Sequence, residues 1–330
     1  MISDYPTIFI AGAGRTGTTM ISRILDKSEQ ACLYFQETHA YPLLWTRSGK
    51  ARLPENVRTP DDFAAFIEKK YPQINIGWRH EKYQPLLNEL AEEIRTRKFY
   101  PDSASHFLDF LLTTQQSKRP GVIMGEKTPA HIYYYQEINK YFKSPKFIIT
   151  VRDPRATALS EYVKKNIVHL KLAPFNLLTF IVRWNTVYRL YEKMLKELGP
   201  QQVLLVKYED LVSDPEPVIR NICRFSGIDF DSGMLELGVF NSSFGDKFQT
   251  GKNFNTENID RWRSELDTKI LSVVENNCGN LMERFGYTKI SSGEQDLSLK
   301  DKLKMYGGYA FLAMNPAWFH NINRNKMYYS

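Results

Sequence analysis

The chain has 330 residues, 42% of them hydrophobic, enough to bury a full core as one large domain or two small ones. Its 44 Lys and Arg outnumber its 37 Asp and Glu to give a net charge of +7, which suits a polyanionic small molecule and does not call for nucleic acid. Cys32, Cys223 and Cys278 lie far apart without metal-ligand spacing, as free core thiols of a reducing compartment would, and no stretch approaches the roughly 18 apolar residues of a membrane span.

Met1 to Pro6 is polar and precedes a strand too short for a signal anchor, so a cytoplasmic location is expected. The run Ile8-Phe9-Ile10-Ala11 predicts that strand, which feeds the turn Gly12-Ala13-Gly14-Arg15-Thr16-Gly17, and an amphipathic helix opens near Thr18. Glycines at 12, 14 and 17 let the backbone bring N–H groups close to an anion, and the helix points its positive end at the same spot. The spacing fits the first half of a P-loop, but Thr18 stands where lysine should follow, and Arg15 is the strongest cation. An ordinary nucleoside triphosphatase is therefore disfavoured.

Ala31 to Phe35 predicts a short strand that delivers Gln36-Glu37-Thr38-His39 to the sheet edge where α/β proteins place their chemistry. Residues 40–120 lack strand signals and carry helical patterns, such as Asp61 to Ile67 after Thr59-Pro60, and Leu86 to Ile94. They form an insertion that either covers a cofactor and shapes an acceptor pocket or simply packs. Val122 to Gly125 predicts a buried strand leading to Glu126-Lys127-Thr128, and Pro129 starts a helix to Phe142. A β-branched strand over Lys146 to Val151 ends in Arg152, and Ser160 follows two helical turns later. Ala173 to Leu198 predicts one long helix whose stripe of Leu177, Ile181, Trp184 and Tyr188 is core. Val203 to Val206 is the next strand, exiting into Tyr208-Glu209-Asp210-Leu211, and Asp214-Pro215 begins a helix to Phe225. Residues 238–264 are turn-rich, and a closing helix spans about 266–284. The aromatic, basic tail from Ser291 packs back on the domain by default, with a dimer contact or a membrane-surface helix as the other readings.

Arg15-Thr16-Gly17-Thr18-Thr19 with the following Leu25-Asp26, then Gln36-Glu37-Thr38, Lys127, Val151-Arg152-Asp153 and Trp262, resemble the sulfotransferases that use 3′-phosphoadenosine 5′-phosphosulfate (PAPS). Among these the sequence is most similar to the tyrosylprotein sulfotransferase branch. The resemblance implies a P-loop-like three-layer α/β/α fold with a central, mostly parallel sheet. It places the domain at 1–290, with a helical insertion at about 40–120, and a C-terminal extension at 291–330. It further implies PAPS as cofactor, adenosine 3′,5′-bisphosphate (PAP) as product, no metal, and a hydroxyl-bearing acceptor.

By that resemblance, Gly14, Arg15, Thr16, Gly17, Thr18 and Thr19 hold the 5′-phosphosulfate, while Arg152 and Ser160 grip the 3′-phosphate, with Arg155 as a third contact. Tyr208 lies near the adenine, Lys252 touches the cofactor, and Ser243 is a further phosphate candidate. Arg15 and Lys127 offset charge on the phosphosulfate, and Glu37 takes the acceptor's proton. A capping glutamate is the plainer reading of Glu37, and His39 is the rival base. A P-loop kinase or NTPase, and a non-catalytic binding domain, remain as alternatives, and the acceptor is open among tyrosine, carbohydrate, lipid and small-metabolite hydroxyls.

Overall fold

In the computed structural model, which describes residues 5–34, 37–44, 53–69, 71–74, 84–116, 122–164, 174–237, 254–291, 298–300, 302–303 and 306–307, five strands form one sheet. These are β1 (Thr7–Gly12), β2 (Ala31–Leu33), β3 (Ile123–Lys127), β4 (Lys146–Val151) and β5 (Val203–Lys207). The order is β2-β3-β1-β4-β5 and every neighbouring pair is parallel.

Parallel strands need a cover on both faces, and β1 is buried at every position. Successive side chains alternate between two layers. Ile8, Ile10, Leu33, Ile148 and Val206 share a core with Ile21 and Ile24 of α1 (Thr18–Leu25) and with Ile219 and Ile222 further along the chain. Phe9, Ala11, Met124, Phe147 and Ile149 pack on the other side against the insertion, represented by Phe63, Phe107 and Leu111, and against Leu177, Ile181 and Trp184. The result is a three-layer α/β/α architecture.

Every described element between residues 40 and 120 is helical: α2 (Ala40–Leu44), α3 (Pro60–Lys69), α4 (Tyr71–Ile74), α5 (Gln84–Thr96) and α6 (Ala104–Gln116). The helix expected from Pro129 is a 3₁₀ helix as far as Tyr134, and regular α-helix, α7 (Tyr135–Tyr141), starts only at Tyr135. The remaining helices are α8 (Pro154–Lys164), α9 (Pro174–Leu198), α10 (Tyr208–Ser213), α11 (Pro215–Ser226), α12 (Glu257–Asp260), α13 (Trp262–Glu265) and α14 (Thr268–Arg284). Proline at the first turn starts α8 and α11, where its missing N–H is no loss. Asp267 caps α14 by accepting from the N–H groups of Lys269 at 2.9 Å and Ile270 at 3.3 Å.

The sheet places the candidate site. The chain leaves β1 toward β2 and β3 on one side and then crosses from β3 past β1 to β4 and β5 on the other, so the strand order switches beside β1 and a crevice opens beyond the carboxyl ends of the strands. Among the described residues no helix is long and apolar enough to cross a membrane. Lys252, Ser243 and the tail beyond residue 307 lie outside the described residues.

Candidate active site

Each strand hands one candidate group to the same edge. The phosphate-type loop follows β1, Glu37 follows β2, Lys127 ends β3, Arg152 follows β4 and Tyr208 follows β5. The loop bends through left-handed backbone at Arg15 (φ 69°) and Gly17 (φ 95°). A Cβ on Gly17 would sit 2.9 Å from the Tyr208 ring, so only glycine admits both the turn and the packed tyrosine. Thr16 is buried, with its hydroxyl 2.6 Å from both the Ala13 carbonyl and Thr150 Oγ1. That hydroxyl braces the loop on β4, leaving Thr16 its backbone to offer a ligand. Thr18 and Thr19 begin α1, whose first-turn N–H groups have no partner within the helix.

The loop and the Arg152–Ser160 pair, 145 residues apart at their contact, adjoin directly. Arg15 Nε donates to Ser160 Oγ at 3.2 Å, Arg152 Nη1 donates to the Arg15 carbonyl at 3.3 Å, and Arg152 Nη2 donates to the Asn258 carbonyl at 2.8 Å. The Arg152 guanidinium lies 4.2 Å over the Tyr208 ring. Its Nε is buried and has no partner among the described residues. Burial and the like charge of Arg152 both push the Arg15 pKa down. Two crowded cations with a buried donor to spare are the donor set that a phosphate-bearing nucleotide would satisfy, so the residues present fit the anionic cofactor.

Arg155 is not part of this set. It is 3% exposed, and its guanidinium is spent on a bidentate pair with Asp153, on Glu275 at 2.5 Å and on the Thr288 carbonyl at 2.9 Å. It also stacks on Trp262 at 3.8 Å, so that tryptophan and Arg155 form a structural staple between α8 and α13. Tyr208 is buried with one ring face given to Arg152 and its edge against Gly17.

On the far side of β1, Lys127 Nζ is 2.5 Å from Glu37 Oε1, and His39 Nε2 is 3.1 Å from Glu37 Oε2. The Glu37 side chain remains 31% exposed and is therefore reachable. Burial alone would raise its pKa, but the Lys127 charge and the hydrogen bond from His39 outweigh burial and hold it well below the ordinary carboxylate range. Two features of the site escaped the sequence reading. The Asn258 carbonyl comes from α12, a short helix within the stretch read as turn-rich, where the sequence singles out only Lys252, Ser243 and Trp262. Glu126 follows the apolar start of β3 directly and precedes Lys127, a signal that could have been noticed; it is wholly buried and accepts hydrogen bonds from Thr38.

Comparisons with known proteins identify the family and the fold. The profile of the Sulfotransferase family matches residues 6–232, which contain the loop, Glu37, Lys127, Arg152, Ser160 and Tyr208. The protein-tyrosine sulfotransferase A of Caenorhabditis elegans is 24% identical over 294 residues, which make up 86% of this chain and 67% of that protein. An omega-hydroxy-beta-dihydromenaquinone-9 sulfotransferase of Mycobacterium bovis is 23% identical over 322 residues, covering 88% of this chain and 77% of that one. In fold, the chain resembles the sulfotransferase domain of the Synechococcus PCC 7002 olefin synthase with a TM-score of 0.59 at 22% identity, covering 87% of this chain and 96% of that domain.

Proposed function

The chain belongs to the sulfotransferase family, and from that premise we propose that it transfers the sulfuryl group of PAPS to an acceptor hydroxyl. The junction of Arg15, Arg152 and Ser160 supports this reading, because it brings an anion-binding loop into direct contact with a second cationic group. When bound, PAPS supplies the activated sulfuryl group and a bisphosphate leaving group. The loop N–H groups with Arg15, Thr18 and Thr19 would hold its 5′ end, and Arg152 with Ser160 its 3′-phosphate. Tyr208, with one face under Arg152, would serve the adenine through its hydroxyl or its other face.

Glu37 is ionised at neutral pH and exposed enough to take a proton from an acceptor hydroxyl. Pairing with Lys127 weakens it as a base, and any displacement of Lys127 strengthens it. The lysine thus links the basicity of Glu37 to the negative charge developing beside it. Transfer then depends on positioning and charge stabilisation. Helix α2 begins one residue after His39, and the Tyr71 hydroxyl donates to the Thr38 carbonyl, which supports the insertion as the wall of the acceptor pocket. The tyrosine and menaquinone acceptors named for the relatives put phenolic peptides and long-chain alcohols first in an acceptor screen, with carbohydrates and small metabolites after them.

Two measurements test the reading. PAP at 100 times its dissociation constant should stabilise the fold by about 2.7 kcal/mol in a melting assay. Stabilisation by ATP and none by PAP would instead favour the kinase alternative. In transfer from labelled PAPS across the acceptor screen, Glu37→Gln should lose about a hundredfold or more in rate with PAP binding intact, whereas full activity in that variant would favour His39 as the base or no base at all.

A further inference from the structure

A buried carboxylate one residue before Lys127 fastens the Glu37–Lys127 pair. Glu126 has no exposure to solvent. Its Oε1 accepts from the Thr38 N–H at 3.1 Å, from the Thr38 hydroxyl at 3.0 Å and from the Thr128 hydroxyl. Its Oε2 lies 2.8 Å from His131 Nδ1. The His39 N–H reaches Thr128 Oγ1 at 3.4 Å, and the Tyr71 hydroxyl closes the knot on the Thr38 carbonyl. Thr38 is the residue between Glu37 and His39, so one carboxylate ties the loop that carries both to the strand that carries Lys127. A fully buried charge is costly, and this one points its hydrogen-bonding capacity at the segment that holds the acid–base groups.

We propose that Glu126 is a positioning residue that acts through Thr38 to hold Glu37 against Lys127 at the sheet edge. The proposal rests on the reading of Glu37 as the base. Among the described residues Lys127 from β3 and His39 from its own loop face Glu37, and His131, Tyr34 and Tyr41 are the titratable groups around Glu126. With the clamp intact, Lys127 and His39 keep Glu37 ionised far below its ordinary range. When the clamp slackens, Glu37 moves away from Lys127 and its titration rises toward the unperturbed value of about 4.3.

The test uses the full chain with Thr38→Val, which keeps the shape and removes the hydroxyl, alongside Thr38→Ser and Glu126→Gln. The Glu37 carboxyl resonance is followed by carbon-13 NMR against pH and assigned by its loss in Glu37→Gln. In the wild type and in Thr38→Ser it should stay ionised down to about pH 4, whereas in Thr38→Val its midpoint should enter the ordinary carboxylate range. An unshifted midpoint in a Thr38→Val protein with wild-type circular dichroism overturns the proposal, even if Glu126→Gln does not fold. In transfer from labelled PAPS, Thr38→Val should lower kcat by about tenfold with KM for PAPS unchanged, because misplacing the carboxylate costs more than its higher basicity gains, and the loss should vanish in the Glu37→Gln background. A loss of equal size in both backgrounds marks a merely structural role and overturns the proposal. Full activity in Glu37→Gln would sink the base reading alone, leaving the NMR result to stand, so the two failures are distinguishable.

Discussion

Replacing Arg152 with lysine keeps the positive charge at the end of β4 and removes the guanidinium fork. In the structure that fork spends Nη1 on the Arg15 carbonyl and Nη2 on the Asn258 carbonyl and keeps a buried Nε in reserve. An ammonium group on a flexible stem cannot serve all three directions. The loss of one charge-assisted hydrogen bond to phosphate is worth about 1.5–3 kcal/mol, which is about a tenfold to hundredfold weaker complex. Calorimetric titration with PAP and with adenosine 5′-monophosphate, which differ only in the 3′-phosphate, isolates the effect. PAP should lose that full factor in Arg152→Lys, and the monophosphate less than about threefold. Equal losses for both ligands would refute the reasoning, since Arg152 would then act only by shaping the Arg15 loop, and no loss for either would remove it from the site.

Gly17→Ala forces a Cβ to 2.9 Å from the Tyr208 ring at φ 95°; with strain of about 1–2 kcal/mol in the left-handed region, PAP affinity should fall about tenfold while far-ultraviolet circular dichroism is unchanged. Arg155→Met leaves the Asp153 and Glu275 carboxylates buried without their partner, a cost of about 3–5 kcal/mol. Its melting temperature should drop by about 4–7 °C with PAP affinity of the folded protein unchanged, and a large affinity loss would restore Arg155 as a phosphate ligand. For Glu126 burial pushes the pKa up, but His131 and the threonine hydroxyls outweigh it, and for Glu275 bonds from Ser291 and Arg155 do the same. Carboxylates depressed in this way add stability above the unfolded value of about 4.3 and lose it as pH falls through the folded value. Calorimetric melting temperatures should therefore hold from pH 7 to 5 as far as these groups are concerned and fall below about pH 4, with a shallower acid slope in Glu126→Gln.

The strands were legible because each is a short apolar run with turn residues at its ends, and parallel strands buried on both faces have no other way to be written. The loop after β1 was equally plain, since its glycines and Arg15 sit within one contiguous stretch. Arg155 shows where local reading fails. Three residues from Arg152 and at the start of a helix, it looks like a phosphate ligand, and nothing nearby in sequence announces that Glu275, 120 residues later, claims it. The Glu126–Thr38 clamp was hidden for the same reason, as its partners are 88 residues apart. The 3₁₀ start of the helix at Pro129 has no account in the residues themselves. The kinase alternative, weakened by Thr18, gives way to the family match.

The staple beneath α8 ties the candidate nucleotide site to residues that follow it by 133 positions. Glu275 accepts from the N–H groups of Ile290 and Ser291, and Arg155 reaches the Thr288 carbonyl, so the helix that carries Ser160 is underpinned by residues far downstream in sequence. A ribosome that has released the loop, β4 and α8 has still not released what anchors them. A polypeptide stopped short of Ser291 would carry every predicted nucleotide ligand and lack the footing that keeps Arg152 and Ser160 in register with Arg15.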